Sequence, residues 1–231
     1  MNGVQIFQKI LYGYAKAAQH LGAEFLLYRS AIPINPIAPG NLIGTILADT
    51  NVSWEYMKAN FYGNAVWNLL IDAQQSSLPL AGKVGDYLVG VTDGSGLPFD
   101  NSTYFIQVLD YDLPPKAIKC NQTINMIRPT SATGAGNQGY SSYTPATAQT
   151  IMTAMPAAVL LESKGRDAKT QLPTDTRNPA WLVLLPNLGG VNVRVGDIII
   201  DNMNQNYVVH DNELTELGWR LRAEQTFNYR G

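Results

Sequence analysis

Cysteine and histidine are almost absent from this chain of 231 residues, which has one cysteine, Cys120, and two histidines, His20 and His210. One cysteine excludes an intrachain disulfide and any cysteine-rich metal site. A Ser-His-Asp triad would need one of the two histidines, and neither is accompanied by a Gly-x-Ser-x-Gly motif. His20 suits the end of a helix, where a cation is favoured. We expect Cys120 to be a small, buried or half-buried apolar side chain.

Charge is also scarce. Charged residues make up 15% of the chain, against about 25% in ordinary soluble domains. The 16 basic and 18 acidic residues leave a net charge of -2, and the pI is about 5.6. These values exclude disorder caused by high net charge, and they argue against binding of nucleic acid through bulk electrostatics. A low charge fraction is typical of a subunit whose faces are covered by neighbours.

Long apolar runs are missing as well. No run approaches the roughly 18 apolar residues of a membrane span. The chain begins Met1-Asn2-Gly3-Val4, without a basic segment followed by an apolar stretch, so we expect no secretory signal. The sequence therefore predicts a protein that neither resides in a membrane nor leaves the cell by a Sec route.

The first element that the sequence does predict is a helix over residues 3–21. Asn2 and Gln5 have the spacing of a helix cap with its reach-back partner, and Gly22 is expected to end the helix in the left-handed conformation. We expect the helix to pack on its own domain, with docking into a neighbouring subunit as the alternative. Its apolar stripe follows helical spacing and consists of Ile6, Phe7, Ile10, Leu11, Tyr14, Ala17, Ala18 and Leu21.

A proline-punctuated stretch follows the helix and contains Pro33, Pro36 and Pro39. Each X-Pro step favours extended backbone and removes a ladder donor, so the stretch predicts an extended arm. We divide the chain into a helix with its lead-in (1–31), the arm (32–60) and a β-rich body (61–231). The body includes a Gly/Ser/Thr/Ala/Tyr-rich loop at 130–150. A loop this long is usually functional or disordered, and we expect it to be ordered by another subunit.

The body shows the period of two that predicts strands. Residues 66–71 form a short apolar run that we assign to a strand, and residues 85–91 with 103–109 predict a hairpin around an Asp-Gly turn. Residues 196–200 with 206–210 predict a second hairpin. Both hairpins begin with Gly-Asp, which we attribute to coincidence rather than to internal duplication.

The last predicted strand alternates most regularly. Apolar side chains from Trp219 onward alternate with Arg220, Arg222 and Glu224, which indicates a half-buried antiparallel strand with one charged face. The fold class predicted is mainly β with one N-terminal α-helix. Antiparallel hairpins would form a barrel or a sandwich with extended arms.

Two further groups of residues could carry chemistry. Asp110 and Asp112 could bind a hard cation weakly or act as an acid/base pair, although a strand-ending turn with solvated charges is the more ordinary interpretation. Tyr140 and Tyr143 could stack on a sugar, or serve a protein interface at low entropic cost; we favour the interface. No calcium loop or phosphate-binding loop is present. We therefore predict no catalytic, metal or cofactor residues, and no enzymatic activity.

Several segments together resemble a known group of proteins. The set resembles mostly uncharacterised virion proteins encoded in the structural-gene clusters of tailed bacteriophages and prophages. The resemblance implies a structural subunit of the tail, baseplate or neck, with no catalytic residues to transfer. The segments that carry it are Tyr62-Gly63-Asn64, Gly85-Asp86-Tyr87-Leu88-Val89, Thr103-Tyr104-Phe105-Ile106, Cys120-Asn121-Gln122-Thr123-Ile124 with Arg128-Pro129, Gly196-Asp197-Ile198-Ile199, and Glu213-Leu214-Thr215-Glu216-Leu217-Gly218-Trp219-Arg220.

The function predicted is thus a structural component of a tailed-phage virion, assembled in the host cytoplasm. It would form symmetric contacts with other virion proteins in the tail or baseplate, as a homo-oligomeric ring without membrane or specific nucleic-acid partners. Three alternatives stay open: a head–tail connector ring in the neck, a host-surface or carbohydrate-binding module using the loop tyrosines, and a cell-wall hydrolase using Asp110 and Asp112. The candidate interface residues are Pro33, Pro36, Pro39, Tyr140, Tyr143, Arg220 and Arg222.

Overall fold

The computed structural model describes seven stretches of the chain. They are residues 3–52, 65–71, 82–91, 102–109, 115–129, 148–162 and 180–226. Within these stretches, one α-helix and twelve strands form two closed antiparallel barrels of six strands each. The prediction of a mainly β protein with one N-terminal helix is confirmed.

Helix α1 covers Gly3–Leu21, as predicted. It buries Ala15 and Ala18 and contacts two strands of the first barrel, so it packs on its own chain. The expectation for Gly22 is wrong, because Gly22 does not have a positive φ. A side chain at Gly22 would instead collide with the backbone of Ala18 and Ala48, so the close approach of helix and strand requires the glycine.

The first barrel follows α1 directly. Its strands pair in the closed order β1-β2-β3-β6-β5-β4, around Phe25, Leu27, Leu69, Leu88 and Tyr104. The strands are β1 (Ala23–Tyr28), β2 (Leu42–Val52), β3 (Val66–Ile71), β4 (Tyr87–Gly90), β5 (Thr103–Val108) and β6 (Lys116–Cys120), with a short 3₁₀ turn at Pro39–Asn41.

The second barrel is built in the same way. Its strands pair in the closed order β7-β8-β9-β12-β11-β10, which repeats the order of the first barrel strand for strand. The strands are β7 (Gln122–Arg128), β8 (Gln149–Leu161), β9 (Ala180–Leu185), β10 (Ile198–Ile200), β11 (Asn206–Thr215) and β12 (Gly218–Thr226).

Register as well as strand order is shared by the two barrels. The seam that closes the first barrel pairs Tyr28 with Tyr87, and the seam of the second pairs Ile127 with Ile198. Both barrels also contain an edge-to-face Trp–Tyr pair at equivalent positions. The ring centroids are 6.1 Å apart for Trp67–Tyr104 and 5.6 Å apart for Trp181–Tyr207. The barrels are therefore structural repeats.

Irregularities in the ladders recur at the same places. The register shifts after Leu27 in β1 and after Met126 in β7, and again after Ile106 in β5 and after Val209 in β11. The Gly-Asp pairs before β4 and β10 thus occupy equivalent positions. Attributing them to coincidence is wrong, because the whole hairpin and its partners are repeated.

The boundary between the barrels is a single residue, Asn121. Its backbone N–H donates to Ala157 O at 3.0 Å, and its side-chain amide donates to Val159 O at 2.8 Å and accepts from Val159 N at 2.7 Å. The segment Cys120–Ile124, which carries part of the resemblance, spans this boundary. The chain leaves one barrel at Cys120 and enters the next at Gln122.

The structure also changes the predicted division of the chain into helix, arm and body. Strand β1 lies within the range 1–31 and β2 within the range 32–60, although both belong to the first barrel. The strand at 66–71, both predicted hairpins and the alternating last strand are present. Residues 130–147 of the predicted long loop lie outside the described residues.

We predict that Asn121→Ala destabilises the protein by about 2–3 kcal/mol, because it leaves the N–H and C=O of buried Val159 without partners. The measurement is the free energy of unfolding in urea. The control is Asn202→Ala, at an exposed turn residue, which should change it by no more than about 0.5 kcal/mol. Equal effects of the two variants would contradict the role of Asn121.

Candidate assembly surfaces

A buried aspartate and an arginine join the strands that close the first barrel. Arg29, directly after β1, donates from Nε to Asp86 Oδ1 at 2.9 Å and from Nη2 to Oδ2 at 2.7 Å. Asp86, directly before β4, also accepts from Lys83 N at 2.6 Å. The turn between them needs Gly85, whose φ is +91°. We call the arginine, the aspartate and this turn the Arg–Asp clasp.

The second barrel has the same clasp. Arg128 donates from Nε to Asp197 Oδ1 at 2.8 Å and from Nη2 to Oδ2 at 2.9 Å. Asp197 accepts from Arg194 N at 2.8 Å, and Gly196 has a φ of +89°. The sequence repeats the turn as Lys83-Val84-Gly85-Asp86 and Arg194-Val195-Gly196-Asp197.

Each clasp satisfies a carboxylate that is almost completely withdrawn from solvent. The Asp86 and Asp197 side chains are only 3% and 1% exposed. The hydrogen bonds to these carboxylates raise the pKa of Arg29 and of Arg128. A bidentate pair fixes orientation as well as distance, so each clasp holds the first strand of its barrel against the fourth.

We expect Arg29→Met and Arg128→Met each to destabilise the protein by roughly 3–5 kcal/mol, because each leaves a buried aspartate without its counter-ion. The measurement is thermal and urea unfolding. Arg222→Met is the matched control: Arg222 contacts Glu162 at 3.0 Å while half-exposed, and an exposed pair contributes at most about 1 kcal/mol. A loss below 1 kcal/mol at the clasps would show that they are dispensable.

The two barrels meet over an apolar face. Tyr87, Phe105 and Ile118 point out of the first barrel and are buried in the apolar cluster of the second. The Tyr87 hydroxyl donates to Pro156 O of β8 at 3.0 Å. In the second barrel, Glu224 occupies the position equivalent to Ile118 and is exposed. The same outer face is therefore covered in one repeat and solvated in the other.

The proline-punctuated stretch lies across this junction. Asn35 N donates to Thr153 O at 2.8 Å, and Thr153 N donates to Pro33 O at 3.0 Å, so Ile34 forms a parallel bridge to β8. Pro36 is buried, Pro33 is half-buried and Pro39 is exposed. The predicted arm thus contacts the second barrel of its own chain, and an interface with another subunit at these prolines stays a prediction.

The two arginines of the last strand lie on the outside of the second barrel, as the alternation predicted. Arg220 Nη1 is 3.6 Å from Glu213 Oε2, and Arg222 pairs with Glu162. Their side chains are 50% and 52% exposed. They are accessible to a partner, but each already has an acidic neighbour within its own barrel.

The other predicted candidates are distributed through the chain. Asp110, Asp112, Tyr140 and Tyr143 lie outside the described residues. His20 is exposed in the last turn of α1, and His210 Nε2 is 3.4 Å from Glu224 Oε2 on the exposed surface.

Cys120 is half-buried and packs against the larger apolar cluster. Burial raises the pKa of its thiol well above the ordinary value. The expectation of a small, half-buried apolar side chain is confirmed.

No family model, curated protein or solved structure matches this chain. Among the described residues, no group of three or more His, Cys, Asp or Glu side chains could hold a metal ion. In the same part of the chain, no helix is long and apolar enough to cross a membrane.

Sequence reasoning missed the clasps. The signal was present as two tetrapeptides that differ only by Lys83 and Arg194, and each follows, by three strands, an arginine at the end of β1 or β7. The arginines could not be aligned from Val-Gly-Asp alone, because Arg29 precedes its aspartate by 57 residues and Arg128 precedes its aspartate by 69.

We predict that the stability of the protein falls above about pH 10 and that Tyr87 accounts for part of the loss. Burial raises the pKa of Tyr87 well above 10, whereas an unfolded tyrosine ionises near pH 10. Above that pH only the unfolded state releases this proton, so the free energy of unfolding declines by about 1.4 kcal/mol per pH unit, while below it the stabilisation is complete.

The test compares urea unfolding of the wild type and Tyr87→Phe from pH 8 to 11. The variant should be less stable at pH 8, because it lacks the hydrogen bond to Pro156 O, and should lose less stability above pH 10. Parallel curves over the whole range would exclude Tyr87 as the titrating group.

Proposed function

We propose that this protein is a non-enzymatic structural component of a tailed-bacteriophage virion, which forms symmetric protein–protein contacts in the tail or baseplate. The observation that carries the proposal is the ordered set of segments, from Tyr62 to Arg220, that resembles virion proteins of these phages. The scarcity of charge supports it, since symmetric assembly covers much of a subunit's surface.

The way the barrels are joined also supports a scaffold. The two barrels are joined at three separate places: at Asn121, at the hydrogen bond from Tyr87 to Pro156, and at the bridge between Ile34 and Thr153. A subunit held in this way presents its surfaces to neighbours in a fixed geometry, which a ring requires.

The buried polar side chains serve the fold. In the described stretches they are Ser30, Asp86, Asp197 and Asp201, and each organises a turn or a clasp. Asp201 accepts from Met203 N and Gln205 N at 2.8 Å each, and from the Tyr207 hydroxyl at 2.9 Å. These groups maintain shape at the ends of strands, as expected of a subunit that acts through its surfaces.

Closed barrels favour one kind of contact. Within the described residues, every strand of each barrel has a partner strand on both sides, so no barrel strand is left as a free edge strand for a neighbour to extend. We infer that contacts with other virion proteins use outer faces, α1 and the hairpin ends. A connector ring in the neck would use the same kinds of surface and is kept as the alternative position.

The test is quantitative mass spectrometry of purified particles from the phage or prophage that encodes the chain. Intact virions, DNA-free heads and isolated tails are compared. We expect the protein in virions and tails at a low copy number set by ring symmetry. Recovery with heads would place it in the neck, and absence from all three fractions would overturn the structural proposal.

A further inference from the structure

The outer side of α1 is basic and partly apolar. The helix contains Lys9 and Lys16 and no acidic residue, so its side-chain charge is +2 with His20 neutral. Ile6 and Tyr12 are 47% and 49% exposed, and Lys16 Nζ lies 4.9 Å from the centre of the Tyr12 ring. Helical spacing places Ile6, Lys9 and Lys16 on the half of the helix opposite Ala15 and Ala18, with Tyr12 at the edge of that half.

The β11–β12 hairpin end, residues 211–220, has the opposite character. This hairpin end has three acidic residues, Asp211, Glu213 and Glu216, and one basic residue, Arg220. The side-chain charge of the hairpin end is therefore -2. Leu214 and Leu217 are 51% and 42% exposed there.

Val195 extends this apolar surface. Asn212 Nδ2 donates to Val193 O at 2.7 Å, which ties the hairpin to the turn that carries Val195. Val195 is itself 61% exposed.

These two surfaces complement each other in charge, and both expose large apolar side chains. Within one chain they remain exposed, so they do not cover each other. One belongs to the element packed on the first barrel, and the other lies at the end of the second barrel. Any other copy of the protein therefore presents the surface that matches each of these two.

We propose that α1 of one copy docks on the β11–β12 hairpin end of another copy, with Lys9 and Lys16 facing Glu213 and Glu216 around an apolar centre of Ile6, Tyr12, Leu214 and Leu217. This contact is heterologous, since different surfaces meet. Repetition of a heterologous contact gives a closed ring or an open filament. The inference deepens the proposed ring and rests on that function.

The test uses charge reversal in the full chain, read by light scattering after size exclusion and by sedimentation velocity. The wild type should form assemblies larger than the 25.3 kDa monomer, and these should weaken as salt screens the pairs. Lys9→Glu/Lys16→Glu and Glu213→Lys/Glu216→Lys should each remain at the monomer mass, because each carries two surfaces of the same sign. Mixed in equal amounts, the two variants should assemble again, since each supplies the surface that the other lacks.

Glu24→Lys is the control, because Glu24 is an exposed residue of β1 and lies on neither surface; it should assemble like the wild type. Circular dichroism and melting temperature confirm that all variants fold. A monomeric wild type, or variants that fail to assemble when mixed, would overturn the contact.

The two proposals fail in different ways. A chain that is present in particles but monomeric in all of these experiments rejects the α1–hairpin contact alone. A chain that assembles in solution but is absent from particles rejects the virion role.

Discussion

Closing each barrel depends on pairing strands that are far apart in the chain, and the Arg–Asp clasp lies on that seam. Asp86 is 57 residues from Arg29, and Asp197 is 69 residues from Arg128. Hydrophobic burial brings such strands together without fixing which residues meet. A carboxylate that accepts two guanidinium bonds and one turn amide is satisfied in only one register, so the clasp selects the seam.

The two repeats share their framework and differ on their outer surfaces. Ile118 and Glu224 occupy one position, as do Lys119 and Gln225, and the environment outside the barrel accounts for the difference between Ile118 and Glu224. Ile118 is covered by the second barrel, whereas Glu224 faces solvent beside His210. Lys119 lies 5.0 Å from the centre of the Trp67 ring, while Gln225 hydrogen-bonds Gln205. The same outer position of the repeated framework is thus buried in the first barrel and solvated in the second.

Local patterns predicted the elements well and their assembly poorly. Helical spacing located α1, and alternation located β12 with its buried Trp219 and exposed Arg220, because both signals depend on residues a few positions apart. The clasps, the equivalence of the halves and the one-residue boundary at Asn121 depend on partners tens of residues away. Gly22 shows the same limit in a single residue: the sequence indicated a glycine at the end of a helix, but the backbone of β2 across the interface is what requires it.

The boundary at Asn121 has a mechanical consequence. A linker of several residues would let two barrels rotate relative to each other, and a force applied to one barrel would first extend the linker. Here the last residue of β6 and the first residue of β7 are separated by one residue, Asn121, whose side chain is hydrogen-bonded to β8. A load applied to either barrel is therefore passed to the other through these hydrogen bonds.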